Sequence, residues 1–222
     1  MMPDLAAAAP HLDPVVAQRA ALAYTCAVER GRRADHFLVA DMSLPSAQPR
    51  LFVFDLSDPR RPTLIKSTRV AHGAGSDPEK TGQPVRFGNG VGSGETSLGL
   101  YRVAERFVGA RSAAYRLDGL TPGFNDAARD RAVVLHPAVY VREDGPVGRS
   151  LGCPAISTAD FTSFERQGLL NDSLVWIDGP DASLEHASSL HCSDTDEVRA
   201  CKKDNGPWRA LQTNPWGVKW AG

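Results

Sequence analysis

Residues 131–156 constrain the fold more than any other stretch, because they hold an apolar strand and a tight turn that are set to meet. The stretch reads RAVVLHPAVYVREDGPVGRSLGCPAI: a strand that ends at His136, a polar loop, and a glycine turn that carries Cys153. Cys153 follows His136 by 17 residues, which is long enough for the chain to double back and set the two side by side. A thiol beside an imidazole is the minimal nucleophile–base pair, because the imidazole takes the proton and the thiolate attacks.

Taken singly, both residues have plainer interpretations. A lone cysteine in an apolar turn is most often an inert packed residue, and a lone histidine at a strand end is most often a hydrogen-bonded structural residue. Only their combination in one segment favours catalysis. Gly152 adds to it, because it removes side-chain bulk before the thiol and lets backbone N–H groups turn toward a developing oxyanion.

Length and composition indicate an ordinary globular chain with many turns. The 222 residues suffice for one domain with a real core plus extensions. Lys+Arg total 25 and Asp+Glu 26, which gives no electrostatic reason to expect nucleic acid or an anionic membrane surface as a partner. No apolar run approaches the ~18 residues of a transmembrane helix. The 20 glycines and 16 prolines favour a β-rich fold.

The pattern along the chain predicts a mainly β fold, a sandwich of mixed strands with few short helices and an N-terminal helix. Asp13 as N-cap, Pro14 at the first helical position and Gly31 as the stop predict that helix over residues 14–30. We predict an N-terminal segment and helix over 1–31, a catalytic domain over 32–180, and a C-terminal extension over 181–222. Apolar alternation predicts strands at residues 36–42, 50–55, 63–71, 96–103, 112–120, 132–135, 139–141 and 174–177, and a capped helix near 159–167. Residues 74–94 are polar and glycine-rich, which is typical of a functional loop.

Four segments carry a family resemblance. They are VAHG at 70–73, TSLGLY at 96–101, GFNDAARDRAVVLH at 123–136 and GRSLGCPA at 148–155. Together they resemble the YkuD-type murein L,D-transpeptidase catalytic domain family, cysteine enzymes that cross-link bacterial peptidoglycan. The resemblance implies that Cys153 is the nucleophile and His136 the general base. It also implies that Ser150 opens the nucleophile turn, that the Gly152 and Cys153 backbone N–H groups form the oxyanion hole, and that the Pro137 carbonyl orients the imidazole.

The same resemblance implies a set of residues around the substrate. These are His72, Ser97, Gly99 and Arg149. Two positions depart from the family pattern: Leu151 stands where a second histidine is widespread, and Ala155 where an arginine is. Arg129, Arg131 and Arg149 are the candidates to replace that arginine.

The implied reaction is acyl transfer without a cofactor. The Cys153 thiolate attacks the peptide bond after the L-centre of diaminopimelate in a stem tetrapeptide, D-Ala leaves, and an amine from a neighbouring stem resolves the thioester. With water as acceptor the same site gives an L,D-carboxypeptidase or a cross-link hydrolase; the non-enzymatic alternative is a peptidoglycan-binding module with a dead site. The resemblance further implies that carbapenems acylate Cys153. We expect a monomer whose partners are peptidoglycan stem peptides.

Cysteine usage and the substrate that the resemblance implies both bear on location. With Cys153 kept free as the nucleophile, Cys192 and Cys201 form the expected disulfide, and Cys26 is left over, buried in the N-terminal helix. His191, Cys192 and Cys201 lack the closely spaced ligand pairs of a zinc site, so no metal is expected. Peptidoglycan places the protein in the periplasm or cell envelope. The N-terminus shows no export signal, so we expect one to have been removed upstream; the alternative is a misplaced start or a cytosolic protein.

Overall fold

The described part of the chain is built on eight strands and three α-helices. The computed structural model describes residues 1–109, 112–142, 144, 147, 149–181 and 184. The helices are α1 (Leu5–Ala8), α2 (Pro14–Glu29) and α3 (Thr158–Arg166), with a 3₁₀ turn at Ala74–Ser76. The strands are β1 (His36–Asp41), β2 (Leu51–Asp55), β3 (Thr63–Thr68), β4 (Gly99–Val108), β5 (Ala113–Gly119), β6 (Val134–Pro137), β7 (Ala155–Ile156) and β8 (Leu174–Asp178). The predicted mainly β class, with mixed strands and an N-terminal helix, is confirmed.

All described strands join one mixed sheet in the order β3-β2-β1-β8-β4-β5-β6-β7. The pairs β1–β8 and β6–β7 are parallel, and the others are antiparallel. Just after β3, at one edge of the sheet, Ala71 forms a bridge with Ala155 of β7 at the other edge, and its N–H donates to the Ala155 carbonyl at 2.8 Å. The two edges are therefore joined, which brings the chain after β3 beside the chain that leads into β7.

Helix α2 forms as predicted and packs on β1 and β8. The Asp13 carboxylate accepts from the Val15 and Val16 N–H groups at 2.8 and 3.3 Å, Pro14 occupies the first turn, and Gly31 follows the helix with a φ of 76°. Most of its length is buried, and Tyr24 packs on Phe37 with ring centroids 5.3 Å apart.

The described cysteines correct one prediction. Cys26 is fully buried in α2, as expected, but it is disulfide-bonded, so the prediction that it is the unpaired cysteine is wrong. Cys153 is the free cysteine of the described residues. The proposed Cys192–Cys201 pair lies outside those residues.

A buried charged cluster lies where β1 and β8 end together. Asp178 pairs with Arg19 at 3.0 Å and accepts from the Trp176 indole N–H at 2.8 Å. Burial raises the pKa of Asp178 to about 7, although the Arg19 charge and the indole act in the opposite direction. Asp41, its partner in the β1–β8 register, also has its pKa raised by burial. This cluster makes the fold sensitive to pH.

Within the described ranges, none of the helices has both the length and the apolar character needed to span a membrane.

Candidate active site

The parallel pair β6–β7 brings the two candidate catalytic residues together. His136 lies in β6, in register with Ala155 of β7, and its backbone N–H donates to the Pro154 carbonyl at 3.4 Å. Cys153 directly precedes that proline. The chain therefore doubles back within the 17 residues between them, as the spacing predicts.

The imidazole of His136 is held in one tautomer. Its Nδ1 lies 3.0 Å from the Pro137 carbonyl oxygen. A carbonyl only accepts, so Nδ1 carries the hydrogen, and in the neutral ring Nε2 keeps the lone pair. This is the tautomer that a general base needs, and the Pro137 carbonyl is the group that the family resemblance expects to orient the ring.

The Cys153 thiol is half-buried and makes no hydrogen bond to the imidazole among the described residues. Its Sγ lies 3.9 Å from the Ala132 carbonyl oxygen. Burial raises the pKa of the thiol above its ordinary value, while the Val134 backbone and the Arg131 charge act in the opposite direction. In the resting site burial therefore outweighs these two effects on the thiol pKa, and, in the part of the chain that the structure describes, no hydrogen bond to the imidazole lowers it.

The turn that carries the nucleophile is clamped by Ser150. Its hydroxyl donates to the Cys153 carbonyl at 2.6 Å and accepts from the Gly152 N–H at 3.1 Å. Its own backbone N–H donates to the His72 carbonyl at 2.9 Å. Gly152 has a φ of 115°, and a Cβ there would lie 2.7 Å from the Glu95 carbonyl oxygen, so glycine alone fits this position.

One of the two predicted oxyanion donors is already engaged. The Gly152 N–H is bonded to the Ser150 hydroxyl and does not point to a shared oxyanion site in this conformation. The Cys153 N–H, by contrast, donates no hydrogen bond within the described part of the chain. The two-donor hole expected from the sequence is therefore reduced to one open donor here.

His72 is buried beside the nucleophile turn, between the charged side chains of Arg50 and Asp77. It is 0% exposed, so its side chain presents no surface for the predicted contact with substrate in this structure. Arg50 Nη2 lies 2.8 Å from its Nδ1, and because guanidinium only donates, Nδ1 is the acceptor. Its Nε2 faces Asp77 Oδ2 at 3.4 Å. Burial and the Arg50 charge lower the pKa of His72 to about 4, so the ring is neutral at pH 7.

Two of the other predicted substrate residues are also buried. Ser97 is 2% exposed and donates to the Gly88 carbonyl at 3.0 Å. Gly99 begins β4 with a φ of 104°, and a Cβ there would lie 2.7 Å from Thr121 Oγ1. Both residues therefore shape the backbone beside the site, and neither presents exposed surface to a substrate in this structure. Arg149 is half-buried, and its Nη1 donates to the Asp77 carbonyl at 2.6 Å.

Three arginines were candidates to replace the family arginine, and the structure separates them. Arg129 pairs with Glu105 at 2.6 Å and with Asp118 on the exposed faces of β4 and β5. Arg149 donates to the Asp77 carbonyl. Arg131 alone of the three approaches the Gly152 position, where its Nη2 would be 3.0 Å from an added Cβ.

Sequence reasoning missed Arg50 and Asp77. Both are charged residues with about 1% exposure or less, and isolated charged residues in a strand or a loop give no signal of burial. The described residues contain no cluster of three or more histidine, cysteine or acidic side chains that would hold a metal ion. The His191, Cys192 and Cys201 group lies outside them.

Comparisons with known proteins bear on the family of the chain. A family model described as the L,D-transpeptidase catalytic domain (YkuD_2) matches residues 8–176. No curated protein matches. Similar solved structures include an L,D-transpeptidase from Mycobacterium smegmatis (12% identity, 65% of this chain and 59% of that chain, TM-score 0.39). Another is Bd1075 from Bdellovibrio bacteriovorus (14% identity, 76% of this chain and 56% of that chain, TM-score 0.43). A third is the helical cell shape determining protein Pgp2 from Campylobacter jejuni (12% identity, 70% of this chain and 52% of that chain, TM-score 0.44).

The chain spans less than two thirds of the length of each of these structures, and every TM-score is below 0.5. The assignment therefore rests on the family model, which covers most of the chain. On that match, the chain belongs to the L,D-transpeptidase catalytic domain family.

Proposed function

We propose that this chain is a peptidoglycan L,D-transpeptidase that works through a thioester on Cys153. The observation that carries the proposal is the β6–β7 pairing, which sets Cys153 beside a histidine whose Nδ1–H is bonded to the Pro137 carbonyl. The imidazole then has a lone pair on Nε2 for a thiol proton. Membership of the family supplies the substrate class.

The acylation step follows from these groups. Cys153 Sγ attacks the carbonyl carbon that follows the L-centre of diaminopimelate in a stem tetrapeptide, and its proton passes to His136 Nε2. Because burial raises the pKa of the resting thiol, we expect its proton to leave during the attack and not before it. The Cys153 N–H donates to the developing oxyanion. The imidazolium then protonates the nitrogen of the departing D-Ala, and the thioester remains.

Deacylation returns the site to its starting state. A side-chain amine of a neighbouring stem attacks the thioester carbon, His136 accepts the proton of that amine, and the thiolate leaves and is reprotonated. Water in place of the amine gives L,D-carboxypeptidase or cross-link hydrolase activity at the same residues. The acceptor therefore decides between transferase and hydrolase.

We also propose that the protein works as a monomer in the periplasm or cell envelope. Peptidoglycan lies there, and the disulfide bond of Cys26 fits an oxidising compartment.

Mass analysis of the products from purified tetrapeptide muropeptides tests the proposal. A cross-linked dimer that has lost one D-Ala identifies the transferase, and tripeptide monomers identify the hydrolase. The Cys153→Ala variant is the control and should form neither product while its melting temperature stays within a few degrees of wild type. No product from the wild-type protein would leave the dead binding module as the better interpretation.

A further inference from the structure

Arg131 ties the glycine-rich loop to the body of the domain. Its Nη1 donates to the Gly88 carbonyl at 2.8 Å and also to the Ser97 hydroxyl. Its Nη2 donates to the Glu95 carbonyl at 2.6 Å and to the Ser93 hydroxyl at 3.4 Å. All four acceptors lie within residues 88–97, the segment that ends the glycine-rich loop and leads toward β4, which we call the 88–97 loop. One side chain therefore holds both ends of the 88–97 loop.

The same guanidinium borders the nucleophile turn. A Cβ added at Gly152 would lie 3.0 Å from Arg131 Nη2 and 2.7 Å from the Glu95 carbonyl oxygen. The Nη2–Glu95 hydrogen bond therefore forms the surface against which Gly152 packs, one residue before Cys153. The charge also reaches the thiol, because it lowers the pKa of Cys153 against the effect of burial.

The contacts of Arg131 separate a positioning role from a substrate-binding role. A guanidinium carries four N–H groups on its two Nη atoms, and here both Nη atoms already face protein acceptors. A bidentate grip on a substrate carboxylate needs at least one of these Nη N–H groups, so it competes with the loop contacts.

We propose that Arg131 is a positioning residue for Cys153, which fixes the 88–97 loop against the Gly152–Cys153 turn and supplies the positive charge that stabilises the thiolate. The role in acyl transfer rests on the proposed function, whereas the effects on the loop and on the sulfur do not. Position 155, where the family pattern has an arginine, holds an uncharged alanine here. Arg131 supplies the positive charge beside the nucleophile in its place.

Cysteine alkylation tests the charge. The full chain with its disulfide intact is treated with iodoacetamide from pH 6 to 10, and the modified Cys153 peptide is followed by mass spectrometry. Arg131→Gln should raise the midpoint of the pH dependence of Cys153 alkylation by about one pH unit. Alkylation at a pH below that midpoint should then slow about tenfold. Arg131→Lys should keep the midpoint near that of wild type. Arg129→Gln is the matched control, because Arg129 pairs with Glu105 and Asp118 instead of the loop. It should leave the midpoint of Cys153 alkylation unchanged.

Hydrogen exchange tests the positioning. Arg131→Lys keeps the charge but loses the planar fork, so the amides of residues 88–97 should exchange several-fold faster than in wild type or in Arg129→Lys. On muropeptides the same variant should lower kcat and leave KM nearly unchanged.

Two results would overturn the proposal: an unchanged alkylation midpoint in Arg131→Gln, or unchanged loop exchange in Arg131→Lys. If Arg131→Gln does not fold, the Lys variant decides through loop exchange. Neither readout needs a peptidoglycan reaction, so a wild-type protein that forms no product would count against the proposed function and leave this test standing.

Discussion

The orientation of the His136 imidazole is set by the hydrogen bond from Nδ1 to the Pro137 carbonyl, which leaves Nε2 as the base. His136→Ala should therefore lower kcat about 10²–10⁴-fold, the usual loss when a general base is removed. The side chain is only half-buried, so the melting temperature should barely change. Steady-state kinetics on muropeptides and thermal unfolding measure the two effects. His11→Ala, at an exposed position, is the control, and a His136→Ala enzyme with most of its activity would contradict the assignment.

At the same scale, residue type and spacing predicted which residues meet but not which are exposed. His136 and Cys153 were found because both chemistries lie in one short segment. His72 and Ser97 lie in segments equally close to the site, yet both are buried. Burial of His72 depends on Arg50, 22 residues earlier, and no local pattern in the sequence reports such a partner.

The nucleophile turn leaves no room for a side chain before the cysteine. Gly152→Ala should destabilise the protein by about 1–3 kcal/mol, the cost of forcing a non-glycine residue into this backbone region. It should also reduce kcat by more than tenfold, because either the Glu95 carbonyl or Arg131 has to move away. Urea unfolding and muropeptide kinetics measure the two effects.

Gly90→Ala is the matched control for that substitution. Gly90 lies in the adjoining loop, and a Cβ there would have nothing within 4 Å. It should keep wild-type stability and activity. Equal effects of the two substitutions would show that the turn conformation is not what matters.

Among the elements, those with local signals were predicted well. Helix α2 starts at Pro14 and is capped by Asp13 as predicted, because the capping residue and the proline act within one turn. The strand predicted at 139–141 does not form, because the chain turns directly after β6 and the Val141 N–H donates to the Ala138 carbonyl at 3.1 Å. Strand β7 was missed, because two residues give no periodicity. Helix α3 begins at Thr158, one residue before its predicted start at 159, and its cap is Ser157.

At the scale of the whole molecule, two buried groups give the stability opposite pH dependences. The pKa of Asp178 is raised to about 7 in the folded protein, so between about pH 4 and pH 7 the folded state binds more protons than the unfolded state. The contribution of Asp178 to the free energy of unfolding is therefore complete below about pH 4 and is lost as the pH rises to 7. The pKa of His72 is lowered to about 4, so its contribution is complete above about pH 6.5 and is lost as pH falls to 4. The two largely offset each other in the wild-type protein.

Asp178→Asn separates these two contributions. Asparagine keeps an acceptor for the Trp176 indole but does not titrate, so the difference in the free energy of unfolding between wild type and variant isolates Asp178. That difference should shrink by up to about 4 kcal/mol from pH 4 to pH 7, as a shift of about three pKa units implies. Urea unfolding at intervals of one pH unit measures it. A difference independent of pH would mean that Asp178 is ionised throughout this range.

The most direct test of the central claim, that Cys153 is a nucleophile activated for acyl transfer, is the mass of the intact protein after incubation with a carbapenem. The family resemblance implies that the strained amide of the drug stands in for the donor peptide. We expect an increase of one drug mass, located by peptide mapping on Cys153 and absent from Cys153→Ala. Slow acylation is compatible with this account, because Leu151 and Ala155 alter the surroundings of the thiol. No adduct after several hours, or an adduct on another residue, would contradict it.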